Sequence, residues 1–199
     1  NGVRLMLNRF LTICFFFVFS LSSSIQVLWA QNTKAGEGLS LGLAVPTPEI
    51  GQPYIAERLG DWNLRCIRTR DGNDPCELTQ IIINDRNEPV AEIALFKLPS
   101  GQPAVAAANI VVPLETLLNI PLTISFGPET TKKYPYSFCS SVGCIARIGL
   151  TDDDIALMKK GLVAQIVIAH LSLPNENVIF ELSLKGFTAA YKKATVIQN

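Results

Sequence analysis

From Trp62 to Lys185 the dominant pattern is an alternation of apolar and polar side chains with a period of two, the signature of half-buried β-strands. Trp62, Leu64 and Cys66 fall on one face, with Asn63 and Arg65 on the other. Asp71-Gly72 marks a turn, and Cys76–Ile83 reads as the return strand. Strands are predicted next at Val90–Leu98 and Ala104–Val112, joined by Pro99-Ser100-Gly101, with a short one at Leu122–Phe126. Cys144, Ala146, Ile148 and Leu150 alternate with Ile145, Arg147 and Gly149. Val178, Phe180, Leu182 and Leu184 alternate in the same way with Ile179, Glu181, Ser183 and Lys185.

One segment breaks the period. Thr151 supplies a helix cap, with Asp154 three residues on in capping-box fashion. Asp152, Asp153 and Asp154 suit the positive end of a helix dipole, Lys159 and Lys160 suit the negative end, and Gly161 is a natural stop. A helix over about 151–160 would bury Ile155 and Met158. Three aspartates in a row also suggest a metal site, but successive helix positions point in different directions, so capping is the better reading. Many short strands and one short helix predict an all-β fold: a two-sheet antiparallel β-sandwich.

Residues 1–30 follow a different rule. Arg4 and Arg9 precede an apolar run, Phe10–Leu21, and a polar patch leads to Leu28-Trp29-Ala30. This is the layout of a signal peptide cleaved after Ala30; the run is short for a membrane span. An uncleaved anchor is the alternative, as is lipidation at Cys14, although Ile13 before it does not fit the small residues that precede a lipidated cysteine. Residues 31–56 are rich in Gly, Pro and small side chains and read as a flexible leader, which places a single domain at 57–195. Loss of Arg4 and Arg9 leaves 15 basic against 17 acidic side chains, a balance that gives no general attraction to nucleic acid or anionic lipid. No second long apolar segment follows, so the mature chain is expected to lack an integral membrane segment.

Export changes the meaning of the cysteines. Cys66 and Cys76 flank the Asp71-Gly72 turn, and Cys139 and Cys144 flank Ser140-Ser141-Val142-Gly143. Outside the cytosol both pairs are expected to be disulfides, closed locally, at roughly 2–3 kcal/mol each for loops this short. Cross-pairing, such as Cys66 with Cys139, stays open, since spacing alone does not fix connectivity. Four thiolates holding zinc is a poor fit to these spacings, and no Cys-x-x-Cys redox motif occurs.

These residues and their neighbours resemble the invasion-associated locus B family of Gram-negative bacteria. The resemblance rests on Gly60-Asp61-Trp62-Asn63-Leu64-Arg65-Cys66, Cys76-Glu77-Leu78-Thr79-Gln80, Cys139-Ser140-Ser141-Val142-Gly143-Cys144-Ile145-Ala146 and Lys185-Gly186-Phe187-Thr188-Ala189-Ala190. It implies an exported all-β domain associated, in a pathogen that enters red blood cells, with host-cell invasion, and it brings no catalytic residues. The family often carries Pro-Leu-Gly where this chain has Pro113-Leu114-Glu115, so the turn there is the point of departure.

The search for a reaction finds little. His170 is the single histidine and reads as an exposed loop residue before a Pro174-Asn175-Glu176-Asn177 turn, with no Gly-x-Ser-x-Gly elbow elsewhere. Zinc-protease and phosphate-loop signatures are absent. Tyr134, Tyr136 and Phe138 read as one strand packing its inner face, with a binding stripe as the alternative, and Lys132-Lys133 as a solvated turn. The expected function is therefore non-enzymatic. The chain reads as an exported, disulfide-stabilised protein, with no cofactor or metal, that contacts a host-cell or envelope macromolecule during erythrocyte invasion. A periplasmic accessory or stress-related domain is the first alternative and a small hydrolase the second. Its place is the periplasm, the outer membrane or the medium.

Overall fold

The computed structural model describes residues 47–127 and 129–197, together with Ser40, Gly42 and Leu43. The expected signal at 1–30 lies outside the described residues. Among the described residues eleven strands form two antiparallel sheets. The larger has the order β1-β2-β3-β4-β5-β9-β8: Pro53–Leu59, Trp62–Ile67, Cys76–Ile83, Pro89–Lys97, Ala106–Val112, Gly143–Leu150 and Tyr136–Ser140. The smaller has the order β11-β10-β6-β7: Leu173–Ser183, Val163–His170, Leu122–Ser125 and Thr131–Tyr134. The expected all-β sandwich is the fold observed, with two short helices, α1 (Asp152–Lys160) and α2 (Phe187–Lys193), rather than one.

The alternation does what a period of two requires. Ala106, Ala108, Ile110 and Val112 of β5 point inward, as do Cys144, Ala146, Ile148 and Leu150 of β9. They meet Leu122, Ile124, Ala164, Ile166, Ile168, Phe180 and Leu182 of the smaller sheet in one core. Helix α1 starts as its sequence demands. Thr151 and Asp154 complete a capping box, and Ile155 and Met158 are buried. Gly161 ends it in an extended conformation (φ −76°) rather than a left-handed one, so the glycine supplies space: a Cβ there would lie 2.9 Å from Leu184 Cδ1.

Four local expectations are corrected. β1 begins at Pro53, inside the segment read as leader; a register shift between Ile55 and Glu57 interrupts its alternation. Tyr134 and Phe138 belong to different strands in different sheets, because Pro135, with no N–H for a ladder, is where the chain crosses over. Lys132 sits in β7 rather than a turn; it pairs with Asp154, and burial works against this carboxyl while the Lys132 and Thr151 bonds outweigh it and hold it below the ordinary carboxylate range. Pro174-Asn175-Glu176-Asn177 is not the turn. The turn is Leu171-Ser172, and the polar run lies in β11, where the ladder with β10 shifts register.

Candidate interaction surface

Strand direction sorts the connections to two ends of the sandwich. β3 runs from Cys76 to Ile83, β5 from Ala106 to Val112, and β9 returns from Gly143, which pairs near Val112, to Leu150. One end therefore holds Cys66–Cys76, bonded across β2 and β3, and the other holds Cys139–Cys144, bonded across β8 and β9. The two bridges differ in access: Cys66 is 1% exposed, whereas Cys139 is on the open edge strand and exposed.

Three of the four sequence segments that carry the family resemblance, those at 60–66, 76–80 and 185–190, converge on a seam between the sheets. Trp62 Nε1 and Gln80 Nε2 both donate to Ser183 O, each at 2.9 Å, and Ser183 N–H donates back to Gln80 Oε1 at 2.9 Å. Ser183 Oγ donates to Asp61 Oδ2, and Asp61 N–H to Lys185 O. The indole is fully buried, 5.2 Å centroid to centroid from the Phe187 ring. Gly60 and Gly186 adopt left-handed φ values of 62° and 86°, and a Cβ on Gly186 would overlap Leu59 O, so the two turns close against each other only as glycines. Thr195 then ties the end of α2 to Cys76: its Oγ accepts from Cys76 N–H at 2.8 Å and its N–H donates to Cys76 O. These polar groups are engaged in closing the fold.

The residues considered for chemistry are likewise held in place. His170 is half-buried at the end of β10 rather than in an exposed loop. Its Nδ1 is 2.7 Å from Ser172 Oγ and its Nε2 2.9 Å from Leu114 O, so both ring nitrogens brace turns. Glu77 and Glu92, on adjacent strands, are both bound by Arg65, at 2.8 and 3.1 Å, which makes a fixed ionic cluster rather than an acid–base pair. Among the described residues no three His, Cys, Asp or Glu side chains converge to hold a metal ion. The phenol of Tyr136 is buried without a partner, and burial pushes its pKa up to about 12.

What remains is the Cys139–Cys144 end. Val142, at the tip of the disulfide-closed hairpin, is 75% exposed. Leu171 and Leu173 flank the β10–β11 turn, and Leu114, Leu118 and Ile120 project from the β5–β6 connection, all exposed. A groove of about 440 Å3 beside them is lined by Ile81, Val90, Val111, Pro113 and Val142, with Glu92 its single charged lining residue. Across the outer face next to it, Phe138 is half-exposed beneath the Arg147 guanidinium, 5.3 Å from the ring centroid, so a polar margin borders the apolar groove.

Exposure here is built in. Leu171 N–H donates to Glu115 O, Leu117 N–H to Ala169 O, and Thr116 Oγ to Pro113 O. Glu115 itself holds a left-handed φ of 65°, at the position where the resemblance set glycine against this chain. Sequence reasoning missed these tips. The available signal was aliphatic residues at turn positions: Val142 between Ser141 and Gly143, and Leu171-Ser172-Leu173-Pro174.

Fold and bonds together define a class: a two-sheet antiparallel sandwich clasped by one disulfide at each end, with its motif residues used in closure. Residues 62–195 match the family model described as Invasion associated locus B (IalB) protein. This chain belongs to that family. The crystal structure of the invasion associated protein B from Bartonella henselae is similar, with a TM-score of 0.59 at 19% identity over 69% of this chain and 92% of that one. No curated protein sequence matches the chain.

Proposed function

We propose that this protein is exported from a Gram-negative bacterium and works without catalysis, by contact with another macromolecule during host-cell invasion, erythrocytes being the host cell the resemblance suggests. On this reading residues 1–30 are removed on export, a leader runs from residue 31 toward β1, and the two disulfides stabilise the sandwich outside the cytosol. The observation that carries the proposal is the braced apolar end around Val142, Leu114 and Leu171. Contiguous exposed apolar surface marks interaction sites, whereas His170, Glu77 and Glu92 are each committed to internal partners.

The test is a deletion strain assayed for host-cell invasion, with cell fractions and medium probed for the protein. Reduced invasion, restored by the wild-type gene, with the protein at the surface or in the medium, is the expected result. Periplasmic protein and unchanged invasion would replace this reading with an accessory role inside the envelope.

A further inference from the structure

We propose that the Cys139–Cys144 end seats on the surface of a lipid bilayer, with Val142, Leu114, Leu118 and Leu171 entering its apolar boundary. The inference rests on the contact reading above and names the partner. Three separate connections at this end each offer aliphatic tips: 113–121, 140–143 and 171–172. Protrusions on separate turns would require a matching pocket for each in a folded partner, whereas hydrocarbon conforms to any of them.

Charge points the same way. Across 113–121 and 139–144 the only charged side chain is Glu115, and no lysine or arginine lies in either segment. Anionic headgroups gain nothing from such tips, so the surface fits zwitterionic lipid and apolar insertion rather than electrostatic adsorption. In the neighbouring β3–β4 turn Arg86 and Glu88 are bonded to each other, and Asp85 beside them is exposed and adds a negative charge rather than a positive one.

The backbone also meets the requirement of an apolar medium, in which unpaired N–H and C=O groups are costly. Leu117 N–H, Leu171 N–H, Ala169 O and Glu115 O pair with one another across the two connections. Leu114 O is bonded to the His170 ring, and Pro113 O accepts from Thr116. The disulfide closes the third turn. The tips thus stand on a base in which these groups are already paired, so insertion leaves those bonds intact.

The oxidised chain as exported, without residues 1–30 and bearing Val142→Trp, is mixed with vesicles of phosphatidylcholine and phosphatidylethanolamine, with and without phosphatidylglycerol. Spectra are read as differences from the same chain without the substitution, which removes the signal of Trp62. A blue-shifted emission, quenched by brominated acyl chains and unaffected by high salt or phosphatidylglycerol, is expected. Leu114→Ser, Val142→Ser and Leu171→Ser together should lower partitioning about tenfold or more with the thermal melt unchanged. Absence of the shift and quenching, attachment that salt abolishes, or equal partitioning of the triple variant would each overturn the proposal. Attachment to host cells that protease treatment removes, with no vesicle binding, would point to a protein partner and leave the contact reading standing. Absence of both would end both.

Discussion

The two ends of the sandwich are clasped alike and finished differently. The Cys66–Cys76 end carries both helices and charged connections: Arg68, Arg70, Asp71 and Asp74 in one loop, and Lys159, Lys160, Lys192 and Lys193 at the helix ends. It exposes apolar side chains too, Leu162 above all, but beside Lys159 and Lys160. The Cys139–Cys144 end has aliphatic tips, and its charges sit apart from them in the β3–β4 turn, Asp85, Arg86 and Glu88, with Glu115 the one charge within the tip-bearing connection 113–121. Charge at the first end is put to structural use: Asp74 accepts from Tyr54, Thr69 and Arg68, and Asp154 caps α1 while paired with Lys132. At the second end the internal bonds hold apolar groups outward, which does nothing for the isolated domain. Groups that stabilise and groups that contact are thus separated in space, and substitutions should separate them too.

The largest effect belongs to the seam. Trp62→Ala removes a fully buried indole packed on Phe187, and urea melts should show a loss of about 3–5 kcal/mol. A loss below about 1 kcal/mol would mean that the seam does not hold the sheets together. Next come the bridges. Replacing both cysteines of either pair by alanine should cost roughly 2–3 kcal/mol. Under limiting reductant, peptide mapping should find Cys139 and Cys144 alkylated before Cys66 and Cys76, because only the former bridge has an exposed partner. The reverse order would erase the difference between the ends.

Acid should act on the charged end. The Tyr54 hydroxyl and the Thr69 N–H, with further help from Thr69 Oγ and Arg68, lower Asp74 from 3.8 to about 2. Asp154 is lowered as well. Groups with depressed folded-state values stabilise above the unfolded value and lose that contribution as pH falls through the folded one. Melting temperature should therefore drop between about pH 4 and pH 2, and Asp74→Asn should flatten the drop while lowering stability at neutral pH. An unchanged profile in the variant would dissociate Asp74 from the acid response.

The smallest effect lies at the apolar end. Glu115→Gly relieves a left-handed residue, a cost of about 1–2 kcal/mol offset by the greater entropy glycine loses on folding. The net expectation is a stabilisation of about 0.5–1 kcal/mol in thermal melts, with Glu115→Ala giving none. A destabilised glycine variant would show that the Glu115 side chain, not its backbone, sets the turn.

Sequence reading reached the strands wherever alternation is unbroken, as in β2, β5 and β9, and it reached β3, where Leu78, Thr79 and Gln80 are buried in succession, from the Asp71-Gly72 turn before it; it reached α1 because Thr151, Asp154 and Lys160 each fit a helix end. It lost β1 to the bulge after Ile55, and α2 because Gly186 opens that seven-residue helix with no side-chain cap. The Pro174–Asn177 run has turn composition, yet it sits where β11 departs from its ladder. The contact surface was less legible still. Exposure of Leu114 and Leu171 depends on Glu115 and His170 bonding across two connections far apart in sequence, and no local pattern reports that.

The most direct test of this separation is genetic. A deletion strain is complemented with Leu114→Ser, Val142→Ser and Leu171→Ser in one chain, and host-cell invasion is measured beside the amount and melting temperature of the oxidised protein. The account predicts wild-type amount, stability within about 0.5 kcal/mol and loss of invasion. Full invasion from the stable triple variant would contradict it.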